Sequence, residues 1–117
     1  MMKHLVLAAI LLGAPATAQQ ATTAPGGILR VLDKSTGLIT DVELMSGEAR
    51  TIGLLTIRLT ECRYPSDNPS GDAYQWLTIT YRDAIEPAFR GWMIASEPAV
   101  SAMDHPRYDV WALRCIT

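Results

Sequence analysis

The residues best equipped for chemistry in this 117-residue chain gather in its last third. His105 is the one imidazole besides His4, with Asp104 directly before it and Asp109 four positions on. With Ser96 or Ser101 as nucleophile, these types would suit a Ser-His-Asp hydrolase, in which the imidazole takes the hydroxyl proton and a carboxylate orients the ring. No G-x-S-x-G turn accompanies them, and Asp-His-Pro serves equally to end a helix, with the imidazole over last-turn carbonyls. His105 can therefore be read as a catalytic base, a structural cap or a partner contact. A metal site on Asp104, His105 and Asp109 lacks a fourth ligand and fits no familiar ligand spacing, so neither a metal nor another cofactor is expected.

Cys62 and Cys115 are the only cysteines. An even count in an exported chain predicts a disulfide, which would close a loop of about fifty residues and contribute about 4 kcal/mol by the chain-entropy argument. Thiolate metal ligation is the rival, but it lacks a close C-x-x-C pair. Among the aromatics, Trp92 and Trp111 suit core filling. Tyr74 and Trp76 suit a binding platform, because strand alternation sets them opposite Leu77 and Ile79. The net charge of −2 gives no electrostatic footprint for nucleic acid or for an anionic membrane.

Export is itself an expectation from the first residues. Lys3 and His4 precede an apolar run from Leu5 to Gly13, and Ala16-Thr17-Ala18 fits a signal-peptidase site. Nine helical residues rise only about 14 Å, too short to span a hydrocarbon core of about 30 Å. Residues 1–18 therefore read as a signal peptide for the general secretory route, with no stable membrane insertion after cleavage and a periplasmic mature protein. Residues 19–27, QQATTAPGG, carry no periodicity and read as a disordered tether. The mature remainder, about 100 residues, suffices for one domain with one core.

That domain, 28–117, must position the candidate residues. Ile28 to Asp33 reads as a strand, Lys34-Ser35-Thr36-Gly37 as a hairpin turn, and Leu38 to Met45 as the returning strand. Ala49 to Ile52 is brief. Leu55, Ile57 and Leu59 then alternate with Thr56, Arg58 and Thr60, the clearest strand in the chain. Strict alternation would point Cys62 outward, so either a bulge near Glu61 re-aims it or the disulfide lies on the outer face. Pro65 to Asp72 is loop by composition. Tyr74 to Arg82, Ala88 to Ile94 and Tyr108 to Cys115 complete the strands, the last with Trp111, Leu113 and Cys115 on one face. Ser96-Glu97-Pro98 predicts one short helix that stops by Asp104, because Pro106 biases His105 away from helical geometry. From Ser96 to Tyr108 this segment would form a ledge with Ala99, Val100, Ala102 and Met103 on the sheet and with His105 and Arg107 outward. The class is all-β, a small antiparallel sandwich or partly open barrel of about seven strands.

These residues also form a recognisable set: Leu32-Asp33-Lys34 with Thr36-Gly37, Gly53-x-Leu55, Cys62-Arg63, Gly91-Trp92-Met93-x-Ala95-Ser96-x-Pro98-Ala99, and His105-Pro106-x-Tyr108-Asp109-Val110-Trp111 with Cys115. The chain resembles the bacterial exported family called domain of unknown function 2155, from about Ile28 to Cys115. The resemblance implies an envelope location and the same two-cysteine plan, and it implies no reaction or catalytic residues. The expected function is a non-catalytic binding or assembly module for another envelope component, a protein before a polymer. Its candidate surface is Trp92, His105, Arg107, Tyr108, Tyr74 and Trp76. The competing class is a small periplasmic hydrolase centred on His105 and Asp104. Intact-mass and N-terminal analysis of the cell-purified protein should find Gln19 first, and a membrane-bound form that retains Met1 would contradict the leader.

Overall fold

A computed structural model describes residues 20–100 and 102–117. The leader expected at 1–18 lies outside the described residues. Eight strands follow in order: β1 (Ala21–Ala24), β2 (Gly26–Asp33), β3 (Ile39–Met45), β4 (Ala49–Ile52), β5 (Leu55–Pro65), β6 (Tyr74–Tyr81), β7 (Phe89–Ile94) and β8 (Tyr108–Ile116). They form two antiparallel sheets. The larger runs β1-β5-β6-β7, with β4 also on β5, and the smaller runs β3-β2-β8. This is an open sandwich rather than a closed barrel.

Alternation builds its core. Leu55, Ile57, Leu59, Leu77, Ile79 and Met93 of the larger sheet meet Leu29, Val31, Val42, Leu44, Val110 and Ala112 of the smaller, all buried. The two possibilities for Cys62 resolve in favour of a bulge. Leu59 pairs with Leu77 and Glu61 with Trp76, which leaves Thr60 as the extra residue and turns Cys62 into the core. There it is bonded to Cys115 of β8, with the two Cα atoms 5.8 Å apart, so the disulfide crosses from one sheet to the other.

Beside the disulfide lies the one fully buried polar side chain among the described residues, Gln75, which pairs with Cys62 across β5 and β6. Its Nε2 donates to the carbonyls of Ile28 (3.0 Å) and Arg114 (3.2 Å). Those carbonyls flank the point where the β2–β8 register shifts between Ile28 and Leu29, where a bulge interrupts the ladder. A side-chain amide from the opposite sheet thus reaches across to serve backbone acceptors at the interruption, as buried polar groups require. Gly27 makes this geometrically possible. A Cβ there would stand 2.8 Å from Gln75 Nε2 and 3.0 Å from Cys62 Sγ.

Several expectations are corrected. The tether at 19–27 is not disordered where it is described. Ala21 to Ala24 pair with Pro65 to Cys62, and β2 begins at Gly26, so the domain starts before Ile28 and has one strand more than expected. Its order comes from pairing with a long neighbour, which periodicity within four residues cannot reveal. No helix occurs among the described residues. Ser96 directs its N–H and hydroxyl to the Asp72 carboxylate (3.0 and 2.7 Å) rather than capping a helix, and the segment continues as turns, with Val100 N–H donating to Glu97. Of the ledge's proposed apolar side only Met103 is buried, whereas Ala99, Val100 and Ala102 are exposed. Trp111 does not share a face with Cys115, because the bulge in β8 separates outward Trp111 from inward Cys115.

Gly27→Ala should destabilise the fold by about 1–3 kcal/mol, as overpacking does, because Gln75 and the disulfide cannot both yield. Urea unfolding should show a lower midpoint, and an unchanged midpoint would refute the close approach.

Candidate functional site

The His105 region forms where the β2–β3 turn meets the start of β8. Lys34 N–H donates to the Arg107 carbonyl (2.7 Å), and Lys34 Nζ donates to the His105 carbonyl (2.7 Å) while approaching Asp109 Oδ1 (3.5 Å). Arg107 places its fork on Asp33, Nε to Oδ1 at 3.2 Å and Nη2 to Oδ2 at 3.0 Å. Those bonds hold the Asp33 carboxyl below the usual carboxylate range and raise Arg107 above its ordinary value. His105 Nδ1 accepts the backbone N–H of Arg107 (3.1 Å) and of Tyr108 (3.2 Å), which leaves Nε2 to carry the ring proton. Its ring leans on Tyr81, centroids 4.5 Å apart. Tyr108 is itself buried, and its hydroxyl accepts Leu54 N–H at 3.1 Å where Gly53, at φ 59°, leaves room for it.

The imidazole is therefore a cap, though for N–H groups that follow it rather than for carbonyls behind it. Asp104 makes no hydrogen bond to it, and the Ser96 hydroxyl is held by Asp72, so the residues of a triad are not assembled among the described residues. Ser101 lies outside the described residues. No cluster of three or more His, Cys, Asp or Glu with metal-binding geometry occurs among the described residues. One candidate for an interaction surface is thereby corrected, since Tyr108 is a core residue. Arg107 is engaged by Asp33 with about a third of its side chain still exposed.

The outer face of the larger sheet has another character. Outward alternation in β6 and β7 sets Tyr74 opposite Ile94 and Trp76 opposite Trp92. The two indoles meet edge to face, with centroids 5.5 Å apart and planes at 81°. The Arg63 guanidinium lies over the Trp92 ring, 5.7 Å from its centroid, and pairs with Glu61. Next to them a cleft of about 390 Å³ is lined by Ala21, Arg63, Tyr74, Trp92 and Ile94. All three aromatics are half-buried, so ring surface remains open to solvent.

The six residues singled out from sequence thus divide. Tyr74, Trp76 and Trp92 come together on one face, while His105, Arg107 and Tyr108 form an internally bonded end of the sandwich. Sequence reasoning missed Arg63 and Ala21 as walls of the cleft. Arg63 could have been placed by following alternation past the bulge, whereas Ala21 required the pairing of β1. Asp33, Lys34 and Tyr81 were likewise missed as partners of the His105 end, since they are separated from it by long stretches of chain.

A family described as an uncharacterized protein conserved in bacteria, domain of unknown function 2155, matches residues 27–115. The chain belongs to this family. The match to domain of unknown function 2155 takes in both cysteines, Gly27, Gln75 and the whole His105 end, and leaves β1 outside. The chain is also similar to the uncharacterized protein RP359 of Rickettsia prowazekii (strain Madrid E), with 33% identity over 92 residues. That alignment covers 76% of this chain and 59% of the relative, so the chain spans little more than half of that protein. No solved structure matches the chain.

The Asp33–Arg107 pair carries a pH signature. The unfolded chain binds a proton on Asp33 more readily than the folded one, so the pair's contribution is present above the unfolded carboxyl value and is lost as pH falls through the lower folded value. Wild type should exceed Asp33→Asn in urea midpoint at neutral pH, and the gap should close as pH drops below about 4. A gap independent of pH would contradict the ion pair.

Proposed function

We propose that this protein is a non-catalytic periplasmic β-module that docks another envelope protein on the outer face of its larger sheet. The observation that carries this reading is the solvent-open grouping of Tyr74, Trp76 and Trp92 beside the Arg63 cleft. Large aromatic side chains with ordered neighbours and little freedom to lose are the usual anchors of protein interfaces. Support for the envelope comes from the leader composition and from a bridged cysteine pair, a bond that persists in oxidising compartments. Among the described residues no helix is long and apolar enough to cross a membrane.

The segment from Ser96 to Tyr108 is set aside as the main docking surface, because three of its polar side chains are bonded within the chain: Ser96 to Asp72, His105 to the backbone, Arg107 to Asp33. The same bonding weighs against a hydrolase centred on His105 and Asp104. Among the described residues the Ser96 hydroxyl is taken by the Asp72 carboxylate and is not offered to the imidazole.

A photo-crosslinking amino acid in place of Thr78, at the centre of the outer face, should yield a discrete adduct with an envelope protein in the producing cell. The same group in place of Val100 or of Glu43, on the ledge and on the opposite sheet, should yield none. Adducts confined to position 100, or none at position 78, would overturn the reading.

A further inference from the structure

The chain carries a net charge of −2, yet the outer face of the larger sheet is basic. Its outward strand residues include Arg58, Arg63 and Arg90 against the single carboxylate of Glu61. Glu61 pairs with Arg63. Arg58 donates to the Gly47 carbonyl (2.7 Å) but meets no carboxylate among the described residues, and Arg90 makes no side-chain hydrogen bond or ion pair among them. Arg58 and Arg90 stand on either side of Thr78, two strand spacings or about 10 Å apart, with the Trp76–Trp92 pair in the adjoining row. The smaller sheet's outer face lacks this excess. There Arg30 is paired with Asp41 at 2.8 Å, Lys34 approaches Asp109 at 3.5 Å, and Arg114 is offset by Glu43.

We infer that the docked partner is an acidic protein segment, which seats one apolar side chain between Tyr74, Trp92 and Ile94 and lays carboxylates along Arg58, Arg63 and Arg90. The inference rests on the docking reading above and adds the partner's chemistry. Arg58 and Arg90, guanidinium groups without a carboxylate of their own among the described residues, offer a planar fork that matches carboxylate geometry, and Arg63 adds a third that already meets Glu61. Complementary charge speeds encounter and excludes basic competitors, while the apolar anchor supplies residence time. An anionic polysaccharide would meet the same arginines. However, the cleft lining offers its hydroxyls little besides Arg63 and the Tyr74 phenol, and sugar recognition depends on several fixed polar groups.

The test uses three probes on the full mature chain: a short fluorescent peptide of glutamates around a central leucine, its lysine counterpart, and an oligogalacturonate. Binding is followed by anisotropy and by tryptophan emission. The acidic peptide should bind and perturb the emission. Its affinity should fall at least about tenfold in Arg58→Glu/Arg63→Glu/Arg90→Glu, and again when salt rises from about 50 to about 500 mM, while Arg30→Glu changes nothing. Arg90→Glu alone breaks no bond within the chain and serves if the triple variant does not fold; it should weaken binding in the same sense. Equal binding of the lysine peptide, indifference to Arg90→Glu, or binding of oligogalacturonate but not of peptide would overturn the inference. Capture from position 78 that survives both high salt and Arg90→Glu would leave the docking reading in place and remove only the acidic partner.

Discussion

The connection between the two sheets at Cys62, Cys115 and Gln75 is the constraint on which the rest of this structure depends. A sandwich of this size has few apolar contacts to spare, and a covalent tie across it contributes about 4 kcal/mol, comparable with the whole stability margin of a small domain. The tie demands that two strands present cysteine inward at facing positions, and each does so next to a bulge, at Thr60 in β5 and near Leu113 in β8. The second interruption leaves backbone carbonyls that Gln75 serves from the other sheet, through the space left by Gly27. Gln75 Oε1 remains without a partner among the described residues, so the amide is oriented by its donors alone.

With the sheets fixed in this way, the polar residues separate into two populations. At the end of the sandwich Asp33, Lys34, His105 and Arg107 bind one another and join the first hairpin to the last strand. Their role is to hold backbone in place, and the buried hydroxyl of Tyr108 extends that role to the turn at Gly53. On the face of the larger sheet the arginines and aromatics are only partly engaged. Titratable groups crowd the first population in sequence, and internal partners engage the Asp33 carboxylate, the Arg107 guanidinium and His105 Nδ1.

Much of the architecture was legible because period-two alternation is strong in β3, β5 and β6, where a single buried face is enforced by the opposite sheet. Leu55 to Leu59 and Leu77 to Ile79 could be assigned to the core from sequence alone. The failures have physical causes. Alternation says nothing of β1, whose order is supplied by β5. At Trp111 a bulge inverted the face, and a bulge leaves little trace in residue types. Ser96 and Pro98 have the composition of a helix start, but the Asp72 carboxylate lies within reach and takes the serine that would have capped it. The aromatic half of the candidate site was visible as Tyr74 and Trp76. The charge on Arg58 and Arg90 gained meaning only when strand register put both beside Thr78.

The pairing of β2 has a kinetic side. It forms a local hairpin with β3, but its other edge belongs to β8, whose residues begin only at Tyr108. Local pairings form in microseconds, whereas pairings that close most of the chain are slow because the loop entropy must be met first. A β2–β3 hairpin formed ahead of β8 would have one row of amides and carbonyls bare and Leu29 and Val31 uncovered. Such an unpaired edge would be open to strand addition by another unfinished copy.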